Sequence, residues 1–358
     1  MKKLFEEFSI GTLTIKNRIV RSATLERLAE NQHITPAMVK VYETLAKGGT
    51  GLIITSMAAV EEFSAYCPEM IGAWHDAFVQ EAMQLTDAAH RHGARIALQI
   101  AHCGLKAEPD ANGLVRGPSP LPGKPESRAL DPNDIRRIIT AFKDTALRAK
   151  TAGFDAVQLH AAHGFLLSQF LSPYFNKRQD AYGGTLENRA RLLMEVNEEV
   201  RDAVGALFPV MVKLNSNDLT TPGQTESDFL WLSKQLVQAG IDAIEVSGGL
   251  NIDSDTTPIR KNINTPAQEA YFAPAAKALA GEVSVPVISV GGYRSYAVVR
   301  DTLESSNIAA IGLCRALVAD PDLPNRWESG DHFTSSCISC AQCSRPIGHF
   351  YCKIKQLP

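Results

Sequence analysis

No apolar run in the 358 residues is long enough to span a bilayer, and the first eight residues, Met1 to Phe8, hold no apolar core of a secretory signal. A cytoplasmic location with no membrane partner is therefore expected. Charge of one sign is not in surplus either. The 36 Lys and Arg against 39 Asp and Glu leave a net charge of −3, which gives no reason to expect nucleic acid as a partner. Low-complexity tracts are absent, and no second hydrophobic domain stands out. Cysteine is sparse over most of the chain, at Cys67, Cys103 and Cys314. Four more, Cys337, Cys340, Cys343 and Cys352, crowd into the last 22 residues. In a reducing compartment such a cluster reads as metal binding before disulfides.

What is present is alternation. Short apolar segments at 19–23, 51–55, 95–100, 156–160, 210–214, 243–247, 286–290 and 308–313 read as strands. Helical patterns lie between them, at 36–48, 75–92, 133–152, 187–204, 226–239 and 266–281. Eight such units imply an α/β fold, a (β/α)8 TIM barrel, with residues 1–330 as one domain and 331–358 as a short Cys-rich tail. Continuous apolar strands fit burial on both faces. Residues 106–132, with six prolines, read as a surface excursion with little regular structure.

The most informative stretch runs from Gly153 to Arg189. A buried strand opens into a long loop that carries His160 and His163. Two neutral imidazoles at a strand end can both donate N–H to one oxygen, which polarises a carbonyl during reduction. A lone barrel histidine is most often a satisfied core residue. Two at this spacing before so long a loop favour function. Other strand ends supply Ser22, Ala23 and Thr24, then Met57, then Gln99 and His102, then Lys213, Gly248 and Gly249. After strands seven and eight come Gly291 and Gly292, then Cys314 and Arg315. Glycines at these two strands with a nearby cation suit a phosphate.

The string H-A-A-H-G, then Q-F-L-S-P, then N-x-R-x-D-x-Y-G-G-x-x-E-N-R closely resembles the old yellow enzyme family, and the resemblance extends over residues 3 to 330. It implies bound FMN, NADH or NADPH as hydride donor, and an electrophilic small-molecule substrate such as an α,β-unsaturated carbonyl or quinone. Ala23, Thr24 and Met57 would lie along the flavin, with Gln99 at its pyrimidine edge and Lys213 near N1 and O2. Gly291, Gly292, Cys314 and Arg315 would hold the phosphate, and His160 and His163 the substrate oxygen. The other reading of Lys213 is a structural ion pair. Arg27, His102 and Phe165 would face the substrate.

This sequence departs from that pattern at several points. Phe165 stands where the family has a proton-donating tyrosine, Cys314 stands in a usual Gly-Arg turn, and Leu25 and Arg27 replace a Cys and a Tyr of some relatives. The tail resembles the start of the iron–sulfur segment of dienoyl-CoA reductases and trimethylamine dehydrogenase. Its cysteines leave three readings: zinc, an iron–sulfur cluster, or free thiols. The end of the chain at Pro358 leads us to expect no separate pyridine-nucleotide domain. Two other functions fit the pattern: an amine dehydrogenase that passes electrons to an external carrier, and a flavin sensor of low turnover. Oligomeric state is open, a homo-oligomer included.

Overall fold

The computed structural model describes residues 3–343, 348 and 350–353. Eight parallel strands form the barrel: β1 (Ile19–Arg21), β2 (Leu52–Ala59), β3 (Arg95–Ala101), β4 (Ala156–Ala161), β5 (Val210–Asn215), β6 (Ala243–Ser247), β7 (Val287–Ser289) and β8 (Ala310–Leu313). Each pairs with the next, and β1 closes the ring by pairing Val20 with Leu52 of β2 and Ile19 with Ile311 of β8. Helices α1 (Pro36–Lys47), α2 (Ala77–His90), α3 (Pro132–Thr151), α4 (Leu166–Leu171), α5 (Leu186–Val204), α6 (Glu226–Gln238), α7 (Ala273–Ala280) and α8 (Tyr296–Glu304) connect the strands. Their starts are written in the sequence. Thr35, Asp131, Thr185 and Thr225 each accept a backbone N–H of the first turn of α1, α3, α5 and α6, and Pro36 and Pro132 occupy first helical positions.

Side chains alternate along each strand, and outward residues such as Ile53, Leu98, Leu159 and Ile244 join the helices in the main core. The inward residues are layered. At the N-terminal end Val20, Ile54, Ala97, Ala156, Met211, Ala243 and Ile288 pack on Phe8, Ile10, Leu13 and Ile15 of an antiparallel hairpin that plugs the floor. One step up the strands, Gln99, Gln158, Lys213 and Glu245 are buried and polar, and another step up stand His160, Asn215 and Ser247. The barrel is therefore dry below and polar above.

Two expectations about elements are corrected. The helix expected over 266–281 is only Ala273–Ala280, preceded by a single turn at Pro266–Gln268. Ala270 sits between them at φ +58°, and the Glu269 carboxylate accepts the backbone N–H groups of Arg294 and Ser295, which a helix would turn away. Within 106–132, Val115–Gly117 and Ser127–Ala129 form a small two-stranded sheet. The tail is also less separate than its composition implied. Ser335 and Ser336 bond to Asp320, and Ser335 N–H donates to the carbonyl of Arg294, which ties the tail to the barrel mouth.

Candidate active site

At the C-terminal ends of the strands lies a cavity of about 470 Å³, within the range of small-molecule sites. Its wall contains Ser22, Ala23, Thr24, Arg27, Met57, Gln99, Lys213, His160, His163, Phe165, Gly291, Gly292, Cys314 and Arg315. Three expected residues stand apart. His102 faces a separate cavity of about 350 Å³, where its Nε2 lies 3.4 Å from Glu61 and its Nδ1 accepts the N–H of Gly104. Gly248 and Gly249 lie behind the wall. A Cβ at Gly248 would meet the Phe272 ring at 2.6 Å, and one at Gly249 the Thr256 carbonyl at 2.2 Å. Both glycines serve the close approach of the loop after β6 rather than a ligand.

The histidines are placed by the loop between β4 and α4. His163 adopts φ +61° and Gly164 φ +69°. His163 N–H donates to Asn215 Oδ1 at 3.1 Å, and its carbonyl accepts from Lys106 Nζ at 2.8 Å. Lys106 also bonds the carbonyls of Leu250 at 2.6 Å and Asn251 at 3.2 Å, so one ammonium clips three loops together. A Cβ at Gly164 would strike the Leu250 carbonyl at 2.5 Å and the Lys106 amine at 2.9 Å, which explains the glycine. Burial lowers the pKa of Lys106 to about 8.

The two imidazole rings meet edge to face with centroids 5.2 Å apart. Burial first, then the charge of Lys213, holds both well below the usual histidine pKa, so both are neutral. Nδ1 of His160 accepts the Ala162 N–H at 3.3 Å, which leaves Nε2 as the protonated nitrogen. Nε2 of His163 lies 2.7 Å from Ser247 Oγ. When Ser247 donates, His163 carries its proton on Nδ1, and each ring keeps one N–H for a ligand oxygen.

Beneath the histidines runs a buried polar chain. Gln99 Nε2 donates to Gln158 Oε1 at 2.7 Å, and Gln158 Nε2 donates to Glu245 Oε2 at 2.7 Å. Glu245 Oε1 receives Lys213 Nζ at 3.0 Å and the hydroxyl of Ser22. Lys213 thus lines the cavity and forms an ion pair, so both readings of that residue hold.

At the other end Arg315 is joined by Arg294, with Cys337, Ser339 and Ala341 of the tail on the wall. Arg315 Nη1 donates to the Ser339 carbonyl at 3.2 Å. A cavity with two guanidinium groups and paired glycines at one end, a flat apolar and amide-lined middle, and imidazoles at the other fits a long planar group with an anionic tail. A family profile described as the NADH:flavin oxidoreductase / NADH oxidase family matches residues 3–332.

The chain belongs to that family.

An NADPH dehydrogenase of Halalkalibacterium halodurans is 35% identical over 326 residues, 90% of this chain and 93% of that one. A metal reductase of Desulforamulus reducens is 34% identical over 348 residues, 96% of this chain and 51% of that one, so the chain spans about half the length of this relative. Among solved structures, the old yellow enzyme homologue from Zymomonas mobilis superposes with a TM-score of 0.80 at 25% identity, covering 99% of this chain and 98% of that one. The barrel is therefore that of this flavin oxidoreductase family.

Sequence reasoning missed Arg294, Gln158, Glu245, Tyr66 and Lys106 in and around the site, whereas Ser247, at the end of β6, was expected from its strand-end position. Gln158 and Glu245 carried a signal, since each interrupts an apolar strand at an inward position. The tail cysteines gather near one another. Burial and the thiols of Cys314, Cys337, Cys340 and Cys352 push Cys343 up to about 12. Among the described residues, no group of three His, Cys, Asp or Glu is arranged to hold a metal ion. The zinc and iron–sulfur readings of Cys337, Cys340, Cys343 and Cys352 thus gain no support from the geometry.

Proposed function

We propose that this chain binds FMN, takes hydride from NADH or NADPH, and reduces an electrophilic small molecule, an α,β-unsaturated carbonyl or a quinone. The observation that carries the reading is the pair of neutral imidazoles at one end of a cavity whose other end holds Arg294 and Arg315. Arg315, Arg294 and the backbone of Gly291 and Gly292 would hold the phosphate. Lys213 and Gln99 would meet the ring edge, with Ala23 and Met57 against the ring. FMN, when bound, supplies the two-electron chemistry. His160 and His163 donate to the substrate oxygen and stabilise the negative charge that develops there. Phe165, packed with Met57, Met70 and Cys103, gives the same end an apolar surface. Because the histidines are neutral, they act as hydrogen-bond donors and do not transfer protons.

The first test is the visible spectrum of the purified protein and the identity of the group released by denaturation. FMN without FAD is expected, followed by anaerobic bleaching with NADH or NADPH and recovery with 2-cyclohexenone or a quinone. A colourless protein that cannot be reconstituted sinks the reading. Bleaching by an amine without nicotinamide would point instead to amine oxidation, and bleaching reversed only by oxygen to a flavin sensor.

A further inference from the structure

Reduction of an activated alkene needs a proton at the α-carbon as well as a hydride at the β-carbon, and Phe165 has none to give. The structure narrows the source. Arg27 is ion-paired to Glu69 at 2.9 Å, and a guanidinium does not release its proton. Cys103 is fully buried, off the cavity wall, and its thiol is pushed up by burial. Cys314 lies against Thr24 at 2.8 Å, in the region of the cation end. Lys106 lies 5.4 Å from the centroid of the Phe165 ring, but its ammonium is occupied by three carbonyls and it is not on the wall.

Tyr66 remains. It stands on the loop between β2 and Ile71, on the wall of the same cavity as His160, His163 and Phe165. Its ring meets the Phe165 ring edge-on with centroids 6.2 Å apart, and Phe165 in turn meets His160 at 4.9 Å. The tyrosine is thus one ring further along the line from the oxygen-binding histidines. Its loop is held firmly. Tyr66 N–H donates to Met70 Sδ at 3.3 Å, the Ser64 and Ala65 carbonyls accept from Cys103 and Glu108 at 2.9 Å each, and Arg27 grips Glu69. Among the described residues the Tyr66 hydroxyl makes no hydrogen bond, and the residue is 41% exposed.

We propose that Tyr66 is the catalytic acid, in place of the phenol that position 165 lacks. The inference rests on the enone reading of the proposed function. A hydride equivalent from the reduced cofactor forms the C–H bond at the β-carbon, and the alkene π pair takes the Tyr66 hydroxyl proton at the α-carbon. The resulting tyrosinate, on a partly exposed residue, recovers a proton from solvent water. The phenol reaches the α-carbon while the imidazoles hold the oxygen, so acid and anion stabiliser are separate groups from separate loops.

The experiment is anaerobic stopped-flow reoxidation of the reduced holoprotein by 2-cyclohexenone and by a quinone, in wild type, Tyr66→Phe and Tyr66→Phe/Phe165→Tyr. Positioned acids contribute typically about 10²–10⁴-fold. Tyr66→Phe is therefore expected to slow the enone at least about 10²-fold more than the quinone, and the double variant to regain most of that loss. A structural readout stands beside the kinetics. In a crystal of the oxidised holoprotein soaked with 2-cyclohexenone, the Tyr66 oxygen should lie at roughly 3–3.5 Å from the α-carbon, the separation of a reactive conformer. An enone rate equal to wild type in Tyr66→Phe overturns the assignment and leaves the proposed function standing. Wild type that reduces no enone overturns both.

Discussion

His160 and His163 are kept neutral by burial and by the charge of Lys213, and this has a consequence for stability. Their folded pKa values lie below the unfolded value of about 6.5. The unfolded chain therefore binds more protons between the two values. Stability is full above about pH 6.5 and falls as the pH drops through the folded pKa. The melting temperature should decline below about pH 6.5, and His160→Asn should reduce that slope. A slope unchanged in the variant would assign the acid loss to other groups. At the cation end, Arg315→Ala should weaken FMN by about 1.5–3 kcal/mol if its guanidinium bonds the phosphate, read as a rise in dissociation constant by fluorescence titration. Residues of this kind were legible where type and strand position coincided, as for His160, Lys213 and Arg315. Tyr66 and Arg294 were not, because each reaches the cavity from a loop whose path depends on contacts far away in sequence.

Strands and helices were legible because local signals agreed. Each β segment is short, apolar and bounded by turn residues, and four helices start at side-chain caps. The expected helix over 266–281 failed because a tertiary contact, the Glu269 carboxylate on Arg294 and Ser295, overrode a favourable helical pattern. His102 was misplaced for a related reason. It lies one residue past the end of β3, where the inward and outward alternation no longer applies, and it turns toward Glu61. The loops above the barrel depend on Lys106. Lys106→Met removes three donors from the His163, Leu250 and Asn251 carbonyls. Trypsin cleavage after the exposed Arg260 or Lys261 should then accelerate several-fold in the folded protein. A cleavage rate equal to wild type would show that the clip does not restrain this loop.

Across the whole molecule, the hairpin at the floor and the tail at the mouth close opposite ends of one barrel. The alternation that layers its interior was hidden in the sequence only at the floor, where segments buried on both faces read as uniformly apolar. Between floor and mouth the polar layer ties β3, β4, β5 and β6 together. Glu245→Leu would leave Lys213 buried without its partner, and should destabilise the fold by about 3–5 kcal/mol in a denaturant titration. The same layer has a direction. A carboxylate only accepts, so Glu245 obliges Gln158 to present its amino group downward and its oxygen to Gln99. Gln99 must then turn one amino hydrogen to Gln158, which fixes the amide's orientation and leaves its oxygen and its second amino hydrogen for the cavity. An ion pair two side chains away thus decides where this edge of the site holds the acceptor that meets a ligand N–H. FMN carries an N–H at its pyrimidine N3, and 3-methyl-FMN does not. The methylated analogue should bind more weakly to wild type by roughly 1–3 kcal/mol, the cost of an unsatisfied buried acceptor, and Gln158→Leu, which frees the Gln99 amide to rotate, should narrow that difference.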